Sequence, residues 1–413
     1  MTAMTRVLHA ISSLEPTSGG PPAALLGLAT AQAAVGLTPS VAASYVEGAD
    51  RSIVDQLEAN GVEVHLVGPC TPRYGWCTTM APTVRKLVED ADIVHIHGLW
   101  ESIQYETARQ ALKAGRPYLF RPCGMLDPWS LQQSRLKKLL YRKLRLDRLI
   151  DAADALHFTT EAERDLAAPL GYRPPPIVEP NGVDPAAFNS RVDSEAFRRQ
   201  TLSSANDVLI LFLSRLHHKK GLDLLIEAFN SLPAPSSTLA IAGSGSAAYE
   251  FRLQQLVAET PRAHSIKFVG MLHGDRKWQA FVAADLFVLP SRQENFGIAV
   301  AEALATGTPV VISDQVNIHN FVSSNNLGSV IPLDTGRLRE EIARWSETVQ
   351  QWRRQPASKH TFAERCRSAV KEQYDWNAIA RRWVSHYEAL RDPVRTEAAQ
   401  PVDGNGRQQR LIR

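Results

Sequence analysis

Glu294 and Glu302, with seven residues between them, frame the run Asn295-Phe296-Gly297. The first carboxylate falls in a polar loop. The second lies about a turn and a half inside a helix marked by the spacing of Ile298, Ala301, Glu302 and Ala305. Glycine at 297 lets a ligand come close to the backbone N–H groups of that helix start, which favour anions. A helix start for a phosphate, beside two carboxylates that accept hydroxyl hydrogen bonds, is the chemistry of a nucleotide-sugar site. Two solvated glutamates on a loop and a helix are the alternative that this pair alone leaves open.

A second cluster precedes it. Ser214-Arg215-Leu216-His217-His218-Lys219-Lys220-Gly221 follows the apolar run 208–213. Arg215 and Lys220 in that loop could hold the charge that a diphosphate leaving group gathers as a sugar bond breaks, without a metal ion. They would also offset repulsion between the diphosphate and the two glutamates. A solvated basic turn is the plainer reading of the loop taken alone.

The elements that must position these residues alternate between strand and helix. Apolar runs at 6–12, 40–46, 62–67, 93–97, 117–121 and 155–159 read as strands, with helical stretches at 53–60, 83–90 and 102–114 between them. Gly19-Gly20 closes the loop after the first run and opens a helix at Pro21-Pro22. Runs near 208–214, 239–242, 266–269, 285–290 and 309–313 repeat the alternation, with Gly307 placed to cap the helix before the last. Strands alternating with helices predict parallel, doubly wound sheets. The proline-rich junction 174–184 reads as a turn between two units. The division is 1–190, 191–376, a helix over 377–392 packing back on the first unit, and a polar, disordered tail over 393–413. Two such units in tandem place a cleft at the carboxyl ends of their strands, where open sheets bind ligands.

Bulk properties set limits. A net charge of +3 gives no general argument for nucleic acid. Four cysteines, Cys70, Cys77, Cys123 and Cys366, form no CxxC pair, and reduced thiols are expected. The first residues enter a strand pattern directly, and no apolar run reaches the eighteen or so residues of a membrane span. A cytoplasmic location is the expectation.

Taken together, the chain resembles the retaining glycosyltransferases of family 4, with the GT-B fold. The likeness rests on 214–221, on LAIAGSGS at 239–246, IKFVG at 266–270, and ENFGIAVAE at 294–302 followed by ALATGTPVV. Asn181-Gly182-Val183-Asp184 matches the family's turn between domains, and Gly19-Gly20 its first-strand loop. His97-Gly98-Leu99-Trp100 and Cys123-Gly124-Met125-Leu126-Asp127-Pro128-Trp129 resemble members that build exopolysaccharide and lipid-linked oligosaccharide. The resemblance implies an α/β fold of two tandem Rossmann-like domains and a nucleotide-diphosphate sugar as donor. It implies that Arg215 and Lys220 bind the diphosphate, Glu302 the ribose, and Glu294 the transferred sugar. Asn295, Phe296, Gly297, Gly20 and Gly243 would line the donor site. It implies no metal or other cofactor, and front-face attack by a carbohydrate or lipid-linked acceptor whose proton passes to the leaving phosphate. Where many members carry a histidine against the donor sugar, this chain has Cys123, a poor donor and base. His97 either supplies the missing imidazole or is a satisfied structural histidine.

One further stretch bears on the acceptor. Residues 134–148 hold seven Lys or Arg and one Asp, with Leu136, Leu139, Leu140 and Leu144 along one face. That suits a helix on an anionic membrane surface, at the inner face of the cell membrane; leucines docking on their own domain are the alternative. Competing functions are an epimerase of the nucleotide sugar, for which no acid/base pair stands out, and a non-catalytic nucleotide-sugar-binding subunit.

Overall fold

In a computed structural model, which describes residues 4–71, 75–184, 193–232 and 237–392, the apolar runs become two parallel sheets. β1 (Arg6–Ile11), β2 (Thr38–Ser44), β3 (Glu63–Val67), β4 (Ile93–His97), β5 (Tyr118–Arg121), β6 (Ala155–Phe158) and β7 (Pro176–Val178) make the first, ordered β3-β2-β1-β4-β5-β6-β7. β8 (Val208–Leu213), β9 (Ser237–Ala242), β10 (Ile266–Gly270), β11 (Leu286–Leu289), β12 (Val310–Ser313) and β13 (Gly328–Ile331) make the second, ordered β10-β9-β8-β11-β12-β13. All neighbouring pairs run parallel. Each sheet reverses its order beside its first strand, between β1 and β4 and between β8 and β11. Those reversals open the crevices into which ligands fit.

Two strands correct the sequence reading. The proline-rich junction contributes β7, because Pro176 can open an edge strand whose missing N–H needs no partner. β13 is the other, a short edge strand with only Ser329 and Ile331 buried, too little apolar pattern to stand out. The expected boundary at 190/191 and the tail over 393–413 lie outside the described residues.

The cores follow strand alternation. β8 is buried almost throughout, as a central strand covered by helices on both faces must be. In the first sheet Leu8, Ala10, Val94, Ile96 and Phe120 pack to one side. Val7, Ile93 and Leu119 pack to the other, beneath the helices Gly20–Ala34 and Trp376–Arg391. Ile379, Trp383 and Tyr387, spaced along one helical face, fix the latter helix there. The two chain crossings between the sheets lie side by side: Val183 N–H donates to Tyr374 O at 2.9 Å. The Trp376 indole fills the space over Gly27 and Gly182, where a Cβ would come within 2.4 and 2.2 Å of it.

Candidate functional site

Three loops meet at the carboxyl edge of the second sheet. The loop after β8 carries Arg215 and Lys220, that after β9 carries Gly243, and that after β11 carries Glu294. Their packing is tight enough to demand glycine. A Cβ on Gly243, at φ +141°, would stand 1.9 Å from Ser214 O. Gly243 therefore backs the Arg215 loop, which is where the structure places this expected donor-site residue.

Glu294 is pinned through its backbone, its N–H donating to Gln315 O at 3.1 Å and its carbonyl accepting from Asn317 N–H at 3.1 Å. Its half-buried carboxylate is in an ion pair with Lys220, whose side chain is buried. Burial pushes the Glu294 carboxyl up, but the charges of Lys220, Lys219 and Arg215 outweigh it and hold it below the usual range. Glu302, one helical stretch away, is ion-paired at 2.8 Å with Lys277 from the helix Gly274–Ala283. Lys277 also lies over the Trp278 ring at 4.1 Å. The two glutamates are thus not solvated surface residues: Glu302 is buried, Glu294 is half-buried, and each is matched to one lysine.

The helix Ile298–Thr306 opens at Gly297, in the left-handed conformation at φ +90°, and ends at Gly307 as its spacing predicts. The Phe296 side chain is core, edge-on to Tyr374 at 5.3 Å, and the donor contact expected at this position is one of its backbone. Asn295 points across to the first half of the molecule. Its Nδ2 donates to Thr159 Oγ1 at 3.1 Å, while its Oδ1 is buried without a partner.

The first sheet supplies the opposite wall. Gly19, at φ +100°, lies so close to Arg215 that a Cβ would sit 2.8 Å from the guanidinium carbon, and the neighbouring Gly20 faces Ile298 at the start of the helix. Cys123, at φ +54°, and Gly124 form a turn against Asn295. Burial raises the Cys123 thiol, so it stays protonated. Gly124 N–H donates to Glu163 Oε1 at 2.6 Å, and Glu163 Oε2 accepts from the Thr159 hydroxyl at 2.8 Å.

His97 is placed elsewhere. It is buried with both ring nitrogens engaged, Nε2 with His9 at 2.9 Å and Nδ1 with Arg121 at 3.4 Å. Of the two readings of this residue, the geometry is that of a satisfied structural histidine, because neither nitrogen points into the cleft unpaired. The other unexpected residues lie nearer the center. Lys219 reaches Gln293 Oε1 at 3.4 Å, and Gln293 in turn reaches Asp127 Oδ2 of the first half at 3.4 Å. Burial and the Lys220 charge pull Lys219 down to about 8, against the opposing charge of Glu294. Its adjacency to Lys220 was the available signal. Lys277 had none, being 25 residues from Glu302 on a different helix.

The arrangement can bind an anion between Arg215, Lys219, Lys220 and a helix start, while two matched carboxylates exchange a lysine partner for a hydroxyl. Comparisons with known proteins bear on the family and the fold. Residues 193–367 match the glycosyl transferases group 1 family, and residues 19–182 match a glycosyl transferase 4-like domain. An uncharacterized glycosyltransferase of Methanocaldococcus jannaschii is 30% identical over 213 residues, 50% of this chain and 52% of that protein. A D-inositol 3-phosphate glycosyltransferase of Mycobacteroides abscessus is 31% identical over 188 residues, 45% of this chain and 42% of that protein. The chain thus spans about half the length of these relatives. Among solved structures, Anabaena HepE in complex with UDP-glucose superposes with a TM-score of 0.75 at 21% identity, over 93% of this chain and 99% of that one. The two matched stretches, each to a glycosyl transferase domain, between them take in most of the chain, and with the likeness to solved structures the paired sheets show the two-domain, Rossmann-like GT-B fold.

Proposed function

We propose that this glycosyltransferase moves a hexose from a nucleotide-diphosphate sugar to a carbohydrate or lipid-linked acceptor, with retention, in the building of a surface polysaccharide. The observation that carries the reading is the convergence of Arg215, Lys219 and Lys220 on Glu294 at the mouth of the Ile298–Thr306 helix. Arg215, Lys220 and the helix start would take the diphosphate and stabilise the charge it gains in the transition state. Glu294, released in part from Lys220, would accept from the transferred sugar, and Glu302 from the ribose beside Lys277. Gly19 and Gly20 would close on the phosphates from the other wall. With three cations in place, the leaving group needs no metal, and no other cofactor is assigned. The HepE structures are complexes with UDP and glucose and with UDP-glucose, so a uridine donor is the first to test.

The acceptor side is read from residues 134–148. Leu136, Leu140 and Leu144 are 80%, 61% and 74% exposed, so these leucines do not dock on their own domain. The segment is a helix over Arg135–Tyr141 continued by a wider turn over Arg142–Leu146. No described helix is long and apolar enough to cross a membrane. An apolar row among Lys and Arg suits a peripheral seat on an anionic leaflet, where a lipid-linked acceptor would be met. Vesicle co-sedimentation checks this: binding to anionic vesicles should be released by salt and by changing Leu136, Leu140 and Leu144 to serine.

Product analysis tests the transfer itself. With UDP-glucose and a membrane extract as acceptor source, in EDTA, sugar should pass to a larger product whose new linkage keeps the donor's anomeric configuration. Inversion, epimerised donor without transfer, or activity lost in EDTA and restored by manganese would each overturn part of the reading.

A further inference from the structure

Four imidazoles lie buried on one face of the first sheet: His9 on β1, His95 and His97 on β4, and His157 on β6. Ligand atoms of His9, His95 and His97 come within 4.8 Å of one another, the grouping of a metal site. Their hydrogen bonds argue otherwise. Both nitrogens of all three are already engaged, and the Arg121 guanidinium, 3.4 Å from His97 Nδ1, would repel a cation.

The bonds form a single path whose two ends fix its direction. At one end Arg121, a donor only, gives Nη1–H to His97 Nδ1. His97 must then donate from Nε2 to His9 Nδ1 at 2.9 Å, and His9 from Nε2 to Gln32 Oε1 at 2.7 Å. At the other end Glu179 O, an acceptor only, takes His157 Nε2–H at 2.8 Å. His157 Nδ1 must then accept from His95 Nε2–H at 3.0 Å, and His95 Nδ1 from the Tyr387 hydroxyl at 2.9 Å. Tyr387 is left to accept from Gln32 Nε2 at 3.0 Å. The two halves meet at Gln32, whose Oε1 accepts from His9 and whose Nε2 donates to Tyr387. Each neutral imidazole thus carries its proton on Nε2, and a second proton on His9 or His97 would set two donors face to face.

The path also returns to where it began. Arg121 Nη2 donates to Asn181 Oδ1 at 2.5 Å, two residues from Glu179 on the crossing between the sheets. The Glu179 carboxylate meanwhile holds Arg382 at 2.9 Å and His386 at 3.1 Å on the returning helix Trp376–Arg391. We infer that this closed one-way ring fastens both crossings to the first sheet and so sets the position of the cleft's two walls relative to each other, with Arg121, Gln32 and Tyr387 as positioning residues for transfer. The depressed pKa of His9, about 4 through burial, agrees with a ring that stays neutral.

Long-range proton–nitrogen NMR on the full chain labelled in histidine side chains reads the ring directly. Four buried imidazoles should show the Nε2–H form, unchanged between pH 7 and 5.5. An Nδ1–H or doubly protonated ring among them, or a stoichiometric bound metal, overturns the inference. In Tyr387→Phe, which keeps the ring's bulk, His95 should lose its single form. Because the diphosphate cations sit on the other wall, kcat should fall about tenfold while donor KM stays within about threefold. An unchanged His95, an unchanged kcat, or a rise in KM alone would show the ring to be packing only. The kinetic arm rests on the transfer reading and the NMR arm does not, so the failure of either is told apart from the other.

Discussion

The two walls of the cleft bury polar groups in opposite ways. On the wall built by the second sheet, where the donor is proposed to bind, Glu294 and Glu302 are each ion-paired with a lysine, Lys220 and Lys277. On the first sheet the four imidazoles from His9 to His157 are neutral, and each both gives and takes a hydrogen bond. A paired charge can change partner when an anion or hydroxyl arrives, so it suits a site that must respond. A chain of neutral tautomers with fixed ends has one arrangement, and suits a frame that must not. Both solve the same problem, since an unpaired buried polar group costs about 1–3 kcal/mol and a buried charge more.

The sharpest way to break this comparison is Lys220→Ala. Loss of a preorganised cation should lower kcat by on the order of a hundredfold or more. It should also reduce stability, because the half-buried Glu294 loses its ion-pair partner and keeps only the charges of Lys219 and Arg215. Normal turnover at saturating donor would place the diphosphate elsewhere. Next in size is the contrast between the carboxylates. Glu294→Gln should reduce kcat about ten- to a hundredfold through a lost charged acceptor worth roughly 1.5–3 kcal/mol. Glu302→Gln should chiefly raise donor KM, because ribose hydroxyls bind alike in ground and transition states. Steady-state kinetics of both variants decide it; equal, small effects would return both to a structural role.

The neutral wall predicts an acid weakness. His9 is held at about 4, and His95, His97 and His157 well below their ordinary value, all first through burial. Below pH 6.5 the unfolded chain takes up protons that the folded ring refuses, so stability is full above that pH and falls as pH drops. The slope is about 1.4 kcal/mol per unit for each such histidine. Urea unfolding at pH 7, 6 and 5 should show it, and a flat profile would mean that the ring protonates while folded.

The smallest effect concerns Lys219. With its pKa near 8, it carries charge below that pH and loses it above, so kcat/KM for the donor should decline severalfold as pH rises through 8. Lys219→Arg, which does not titrate there, should flatten the profile; an unaltered decline would assign it to another group.

Much of this was legible along the chain. The strand at 286–289, the helix after Gly297 and its end at Gly307 follow from local apolar spacing and glycine chemistry, and the structure has them at those places. So does the packing of Ile379, Trp383 and Tyr387, which helical periodicity exposes. What escaped depends on contacts far apart in sequence. Gln32 and Tyr387 are 355 residues apart, Glu302 and Lys277 25, and nothing local to either member marks its partner. His97 was ambiguous for the same reason: its role is decided by His9 and Arg121, 88 and 24 residues away. Edge strands β7 and β13 were missed because half-buried edges need little apolar pattern.

Equilibrium binding of nucleotides in EDTA tests the donor wall most directly. Calorimetric titration with UDP, GDP, ADP and TDP, each beside its monophosphate, separates the diphosphate contact from the base. The account predicts that at least one diphosphate binds without metal, at least tenfold more tightly than its monophosphate, and that Arg215→Ala removes most of that difference. Binding that appears only with a divalent ion, or a diphosphate preference that survives Arg215→Ala and Lys220→Ala together, would contradict it.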